Sequence, residues 1–131
     1  TQEEVERAVA TLNSSGLFAV REFMVGADIS GRRHVWVLAG ASRGADCTTE
    51  AALLLDGQLR ALNADYDTFR SQGRINPPDI KLVADDTIYQ WSRQVRGKLG
   101  GQSKIPHIDP TQDCAMIASL ASFADNCGVH V

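Results

Sequence analysis

The sequence is short of most features that would place a chain in a specialised class. No run of lysine or arginine exceeds two residues, and the formal net charge is −3. A nucleic-acid partner, which needs a basic patch or stripe, is therefore not expected. No apolar run approaches the roughly 18 residues that cross a bilayer, and no secretory signal opens the chain, so no membrane partner is expected either. The three cysteines, Cys47, Cys114 and Cys127, form no C-x-x-C pair. That argues against a zinc site or a disulfide framework and predicts a reduced, cytoplasmic setting. G-x-S-x-G, Walker, H-E-x-x-H and dinucleotide-binding motifs are all missing. His34 reads as an exposed strand histidine, and His107 and His130 lack ligand spacing, so no metal site is expected. Asp85-Asp86 is a carboxylate pair at a helix start, better suited to capping than to acid–base work. The chain opens at Thr1 rather than methionine, which reads as a cut inside a longer protein.

The 131 residues, with 44% apolar and 22% charged composition, suit one globular domain with its own core. "TQEEVERAVATLNSSG" predicts a helix with a Thr1/Glu4 capping box, an apolar face of Val5, Val9 and Leu12, and a stop at Gly16. Residues 17–29 and 34–40 read as an antiparallel hairpin around "SGRR", with one of the two strands buried on both faces. The strongest periodicity is Leu55, Leu59, Leu62, Tyr66 and Phe69, predicting one helix from about Thr49 to Ser71, capped by Thr48 or Thr49. Gly57, costing about 1 kcal/mol there, suggests close packing against a neighbour. Gly73 is expected to end that helix at positive φ, with Arg70 and Arg74 favoured by the helix dipole. A third strand spans Ile80 to Val83. A third helix carries Ile88, Trp91, Val95 and Leu99 and stops at Gly97–Gly101. A last helix turns Met116, Leu120 and Phe123 inward. The expected fold is α+β: a short, mostly antiparallel sheet of about three strands with about four helices, in the order α-β-β-α-β-α-α.

One loop carries a chemical signal. "GGQSKIPHI" places Lys104 between a glycine pair and Pro106. The glycines allow close backbone approach and the proline restricts the lysine's reach, so that the ammonium can meet a phosphate or carboxylate as a point charge. A solvated surface lysine fits the same spacing, and spacing alone favours it.

Two stretches together resemble a known family. "LDGQLRALNADYDTFRSQGRINPPDIKLV", followed about twenty residues later by "GGQSKIPHI", is similar to the C-terminal domain of the auxin-responsive acyl-acid amido synthetases, members of the adenylate-forming superfamily. Asn63, Tyr66, Arg70, Gly73, Ile75 and Pro77 match that family's N-x-x-Y…R-x-x-G-x-I-x-P pattern, with Pro78 where leucine is common. Gln102, Lys104 and Pro106 match its Q-x-K-x-P-R loop, with His107 in place of the arginine. The opening helix is also similar, so the likeness covers about residues 1–108; the tail 109–131 is unmatched. The resemblance implies that residues 1–131 are one domain, the mobile lid of an ATP-dependent ligase. The partner domain, an N-terminal adenylate-binding domain of the same protein, would hold ATP and magnesium, activate a carboxylic acid as its acyl-adenylate and pass it to an amino acid. Lys104 would be the catalytic residue and Gln102 its nucleotide-proximal neighbour. Arg70 and Arg74 would serve the lid's fold or inner face. The chain alone would be inactive. The alternative is a stand-alone α+β binding or dimerisation module, with the apolar tail helix from Ala115 to Phe123 as its contact.

Overall fold

A computed structural model describes residues 1–42, 47–95 and 105–128. The first helix, α1 (Gln2–Ser15), starts on the expected capping box and ends at Gly16 with φ 80°. The Thr1 hydroxyl accepts from the Glu4 amide at 3.2 Å, and the Thr1 ammonium donates to the Glu4 carboxylate at 2.9 Å. Val5, Val9 and Leu12 are buried.

β1 (Phe18–Asp28) and β2 (Arg33–Ser42) pair antiparallel. The register slips at Arg21: Val20 lies opposite Gly40, and Glu22 opposite Ala39. The extra residue is a β-bulge, and it reverses which alternate side chains face each side. Phe18 and Val20 before the bulge therefore join Phe23 and Val25 after it in one apolar cluster, while Met24 faces the other. β2 is the central strand, and Val35 to Ala39 are all buried. Its near-continuous apolar run follows from burial on both faces.

The chain then crosses over through α2 (Thr48–Leu62) and α3 (Ala64–Ser71) to β3 (Asp79–Val83). β3 pairs parallel to β2. The sheet is thus mixed: the longer pairing, β1 with β2, is antiparallel, in keeping with the mostly antiparallel sheet expected, and the shorter, β2 with β3, is parallel. A helical crossover returns the chain in its original direction, which a short hairpin cannot do. The single helix expected over 49–71 is two helices, broken at Asn63, whose backbone is extended (φ −140°, ψ 109°). The Asn63 side chain accepts from the Tyr66 amide at 2.9 Å. This local bond competes with helix continuation and caps the new start. The cap position of α2 is Cys47, without a side-chain bond, rather than Thr48 or Thr49. Gly57 has no close neighbour: a Cβ there would meet nothing within 4 Å. The end of α3 matches expectation. Gly73 has φ 71°, the Gly73 amide donates to Arg70 O at 3.1 Å, and the Arg74 amide donates to Phe69 O at 2.8 Å, the paired bonds of a Schellman motif.

The opposite face of the sheet is covered by α4 (Thr87–Gln94) and α5 (Ala115–Gly128), making five helices among the described residues. Ile88 and Trp91 of α4 are buried, but Val95 is 52% exposed just past its end. Leu99 and the glycine stop at 97–101 lie outside the described residues. Asp86 takes the N-cap position of α4 without a side-chain bond, and Asp85 reaches Arg21 at 3.6 Å. On α5, Ile117 and Leu120 are buried, with Met116 and Phe123 packed around them. The result is three layers, α1–α3 over one face and α4–α5 over the other, with a separate apolar cluster on each side.

Candidate functional site

Of the six family-motif residues between Asn63 and Pro77, Tyr66 and Arg70 hold a buried carboxylate. Asp56 sits on the apolar side of α2 and is 9% exposed. Its Oδ1 accepts from Tyr66 Oη at 2.5 Å and from Arg70 Nε at 2.8 Å, and its Oδ2 accepts from Arg70 Nη2 at 3.0 Å. The guanidinium fork also reaches Ile75 O at 3.4 Å. Asn63 caps α3 and donates to the Glu4 carboxylate at 3.2 Å, joining this corner to α1. Arg60 closes the α2–α3 bend, with bonds to Asp67 at 2.6 Å and Ser71 at 2.7 Å.

His34 completes the network from β2. It is 6% exposed, which corrects the expectation of an exposed strand histidine: it lies at the end of the central strand, under Tyr66. Trp36 Nε1 donates to His34 Nδ1 at 2.9 Å, so the proton is on Nε2, which donates to Asn76 O at 3.1 Å. Burial pushes the affinity of His34 for a second proton down, against the pull of the Asn76 carbonyl and Asp56. Burial alone would raise Asp56, but the hydrogen bonds from Arg70 and Tyr66 hold it below the usual carboxylate range. The Tyr66 hydroxyl is held strongly protonated by burial and by Asp56 beside it, and Asp56 likewise keeps Arg70 charged. No buried side-chain polar atom among the described residues lacks a partner, and the bonds from α3 to α2 and β2 make this network a clasp that fixes the helices. Arg70 belongs to it; Arg74 does not, and stacks over Phe69 at 4.7 Å instead.

Sequence reasoning missed Asp56 and His34. The signal for Asp56 was available: it lies three residues before Leu59 and four after Ala52, on the buried side of an apolar helix. A carboxylate is almost never buried there unpaired.

Gln102 and Lys104 lie outside the described residues. The segment just beyond them is firmly seated. The Val25 amide donates to His107 O, and the Asp109 amide to Val25 O, both at 2.8 Å, so residues 107–109 lie as a short extension of the sheet beside β1. The His107 ring stacks on Phe23 with centroids 4.1 Å apart. Its Nε2 lies 3.0 Å from Glu22 Oε1 and its Nδ1 3.5 Å from Glu6 Oε2. The histidine that stands in for the family's arginine is therefore an anchor on α1 and β1. Buried Asp109 carries the connection onward: its Oδ2 accepts from the Ile117 amide at 2.9 Å, in the first turn of α5. Such a bond meets one of the orphan donors of a helix start. Among the described residues no three histidine, cysteine or acidic side chains converge as metal ligands.

The sequence matches the GH3 family C-terminal domain over residues 2–112. No curated protein matches it. Among solved structures, one named GH3.15 acyl acid amido synthetase aligns with a TM-score of 0.62 at 18% identity, covering 95% of this chain and 23% of that one. At that identity the likeness is one of fold, and this chain spans less than a quarter of the length of the protein it matches.

Proposed function

The chain belongs to the GH3 family, whose C-terminal domain it carries, and from that premise we propose that it is the mobile lid of an ATP-dependent acyl-acid amido synthetase. The observation that carries this reading is the extent of the family match, which runs through the segment holding Gln102 and Lys104 and past its His107 anchor. In this reading a larger domain of the same protein binds ATP and a carboxylic acid. The carboxylate displaces pyrophosphate to give an acyl-adenylate, and an amino acid's amine then attacks the acyl carbon and releases AMP. The lid reorients between the two steps. Lys104 supplies positive charge to the phosphates or the adenylate as negative charge develops on the leaving group, and Gln102 orients the loop. ATP and magnesium would be held by the larger domain. Free, buried Cys47 and Cys114 are in keeping with a cytoplasmic setting. No described helix is long and apolar enough to cross a membrane.

Two measurements test the reading. ATP–pyrophosphate exchange is expected to be absent with the isolated chain; acid-dependent exchange by the chain alone would overturn the lid assignment. In the whole enzyme, Lys104→Ala is expected to lower kcat/KM by about 100-fold with an unchanged melting temperature. The alternative, a binding module working through its tail helix, is weakened by the packing of that helix: the side chains it would offer to a partner already cover the chain's own sheet.

A further inference from the structure

We propose that the tip of the β1–β2 hairpin, together with the end of α3, forms a binding site for a small oxyanion carried on an apolar body: a carboxylate or phosphate with an attached ring or alkyl group. The tip and the helix end enclose a groove of about 380 Å³, within the usual range for small-ligand sites. Its apolar wall is Ile29, 73% exposed, and Phe69, 39% exposed. Its cationic wall is Arg32, Arg33 and Arg74.

The three arginines differ in what they already hold. Arg33 is tied to Asp28 at 3.7 Å and to Asp79 at 3.8 Å. Among the described residues, neither Arg32 nor Arg74 has a carboxylate within 4.0 Å. The Arg74 guanidinium carbon lies 4.7 Å from the Phe69 ring centroid, so the charge sits beside the apolar wall, and a guanidinium in that place can take an oxyanion through its fork of N–H groups. Arg32 sits at φ 55°, a left-handed conformation that residues with a side chain rarely adopt. The strain is held from both sides: the Arg32 amide donates to Ile29 O at 3.3 Å, and the Asn76 amide donates to Arg32 O at 2.8 Å. Turn geometry alone would be better served by glycine, so the arginine at this position is explained by its side chain. Asp28 also lines the groove, but it is engaged by Ser30 and the Gly31 amide and confines an incoming anion to the Arg32–Arg74 side. A bare anion would not need the apolar wall, and a neutral apolar body would not need two guanidinium groups that have no carboxylate partner among the described residues, in a chain of net charge −3. The assignment stands whether or not the chain is a ligase lid.

The test is a titration of the 131-residue chain with phenyl phosphate, cyclohexanecarboxylate, inorganic phosphate and cyclohexanol at 0.15 M salt, followed by backbone amide NMR. Phenyl phosphate or cyclohexanecarboxylate is expected to shift the signals of Ile29 to Arg33, Phe69 and Arg74 saturably. Either should bind about tenfold more tightly than inorganic phosphate or cyclohexanol, and the tighter of the two identifies the head group. Arg32→Gly is expected to keep its melting temperature, since glycine suits the backbone, yet to bind about tenfold more weakly; Arg74→Gln is expected to do the same. The proposal is overturned if those signals stay put, if inorganic phosphate binds as well as the amphipathic anions, or if Arg32→Gly binds unchanged.

Discussion

Asp56 and Arg70 form a two-point ion pair with side chains only 12% and 17% exposed, so the two are worth most as a unit. Removing one partner strands the other in a poorly solvated place. Asp56→Ala is expected to cost about 3 kcal/mol in urea denaturation. Arg70→Lys keeps the charge but loses the fork, and is expected to fall between that variant and the parent chain. The same network sets a pH dependence. An unfolded chain protonates this imidazole around pH 6.5, whereas native His34 resists because it is buried. The unfolded state therefore binds the extra proton first, and stability falls as pH drops below that value. Asp56, depressed below its ordinary 3.8, adds a second loss as pH falls through the acid range. Melting temperatures between pH 7 and 3 are expected to show both stages, and His34→Gln to remove the first.

At the scale of elements, the α2–α3 break and the interior of α2 respond in opposite directions to the same residue. Asn63→Ala removes the cap on α3 and the bond to Glu4, and is expected to lower stability by about 1 kcal/mol. Gly57→Ala, at an exposed helical position with open space around it, is expected to raise stability by about 1 kcal/mol. Both are read from denaturant midpoints, and a loss at Gly57 would show that the helix has a neighbour there. The seating of α5 is set by one glycine of β1. A Cβ on Gly26 would lie 2.8 Å from the Ile117 side chain and 3.1 Å from Asp109 Cβ. The helix and the His107–Asp109 stem therefore both depend on a bare backbone at that point.

For the molecule as a whole, the question is whether α5 belongs to this domain's core or to a partner. Leu120 has no exposed surface and packs in the same cluster as Met24, Val37, Ile88 and Trp91, a burial worth about 2 kcal/mol. Leu120→Asp is accordingly expected to unfold the chain at moderate temperature, seen as loss of near-ultraviolet circular dichroism. A folded variant that had only lost self-association would instead support the binding-module reading.

Periodicity and caps made several elements legible in the sequence: α1 with its capping box, the hairpin with one strand buried on both faces, and the Gly73 turn are local consequences of residue type and spacing. The match of Asn63, Tyr66 and Arg70 to a family pattern was legible too, but not what those residues hold. The partner of Arg70 lies 14 residues back on another helix, and the partners of Tyr66 include a histidine on the central strand. The parallel pairing of β3, the break at Asn63, the parity switch at Arg21 and the burial of His34 were likewise decided by tertiary structure. Each depends on which surfaces meet once the crossover has closed, and side-chain spacing along a single chain records faces, not their partners.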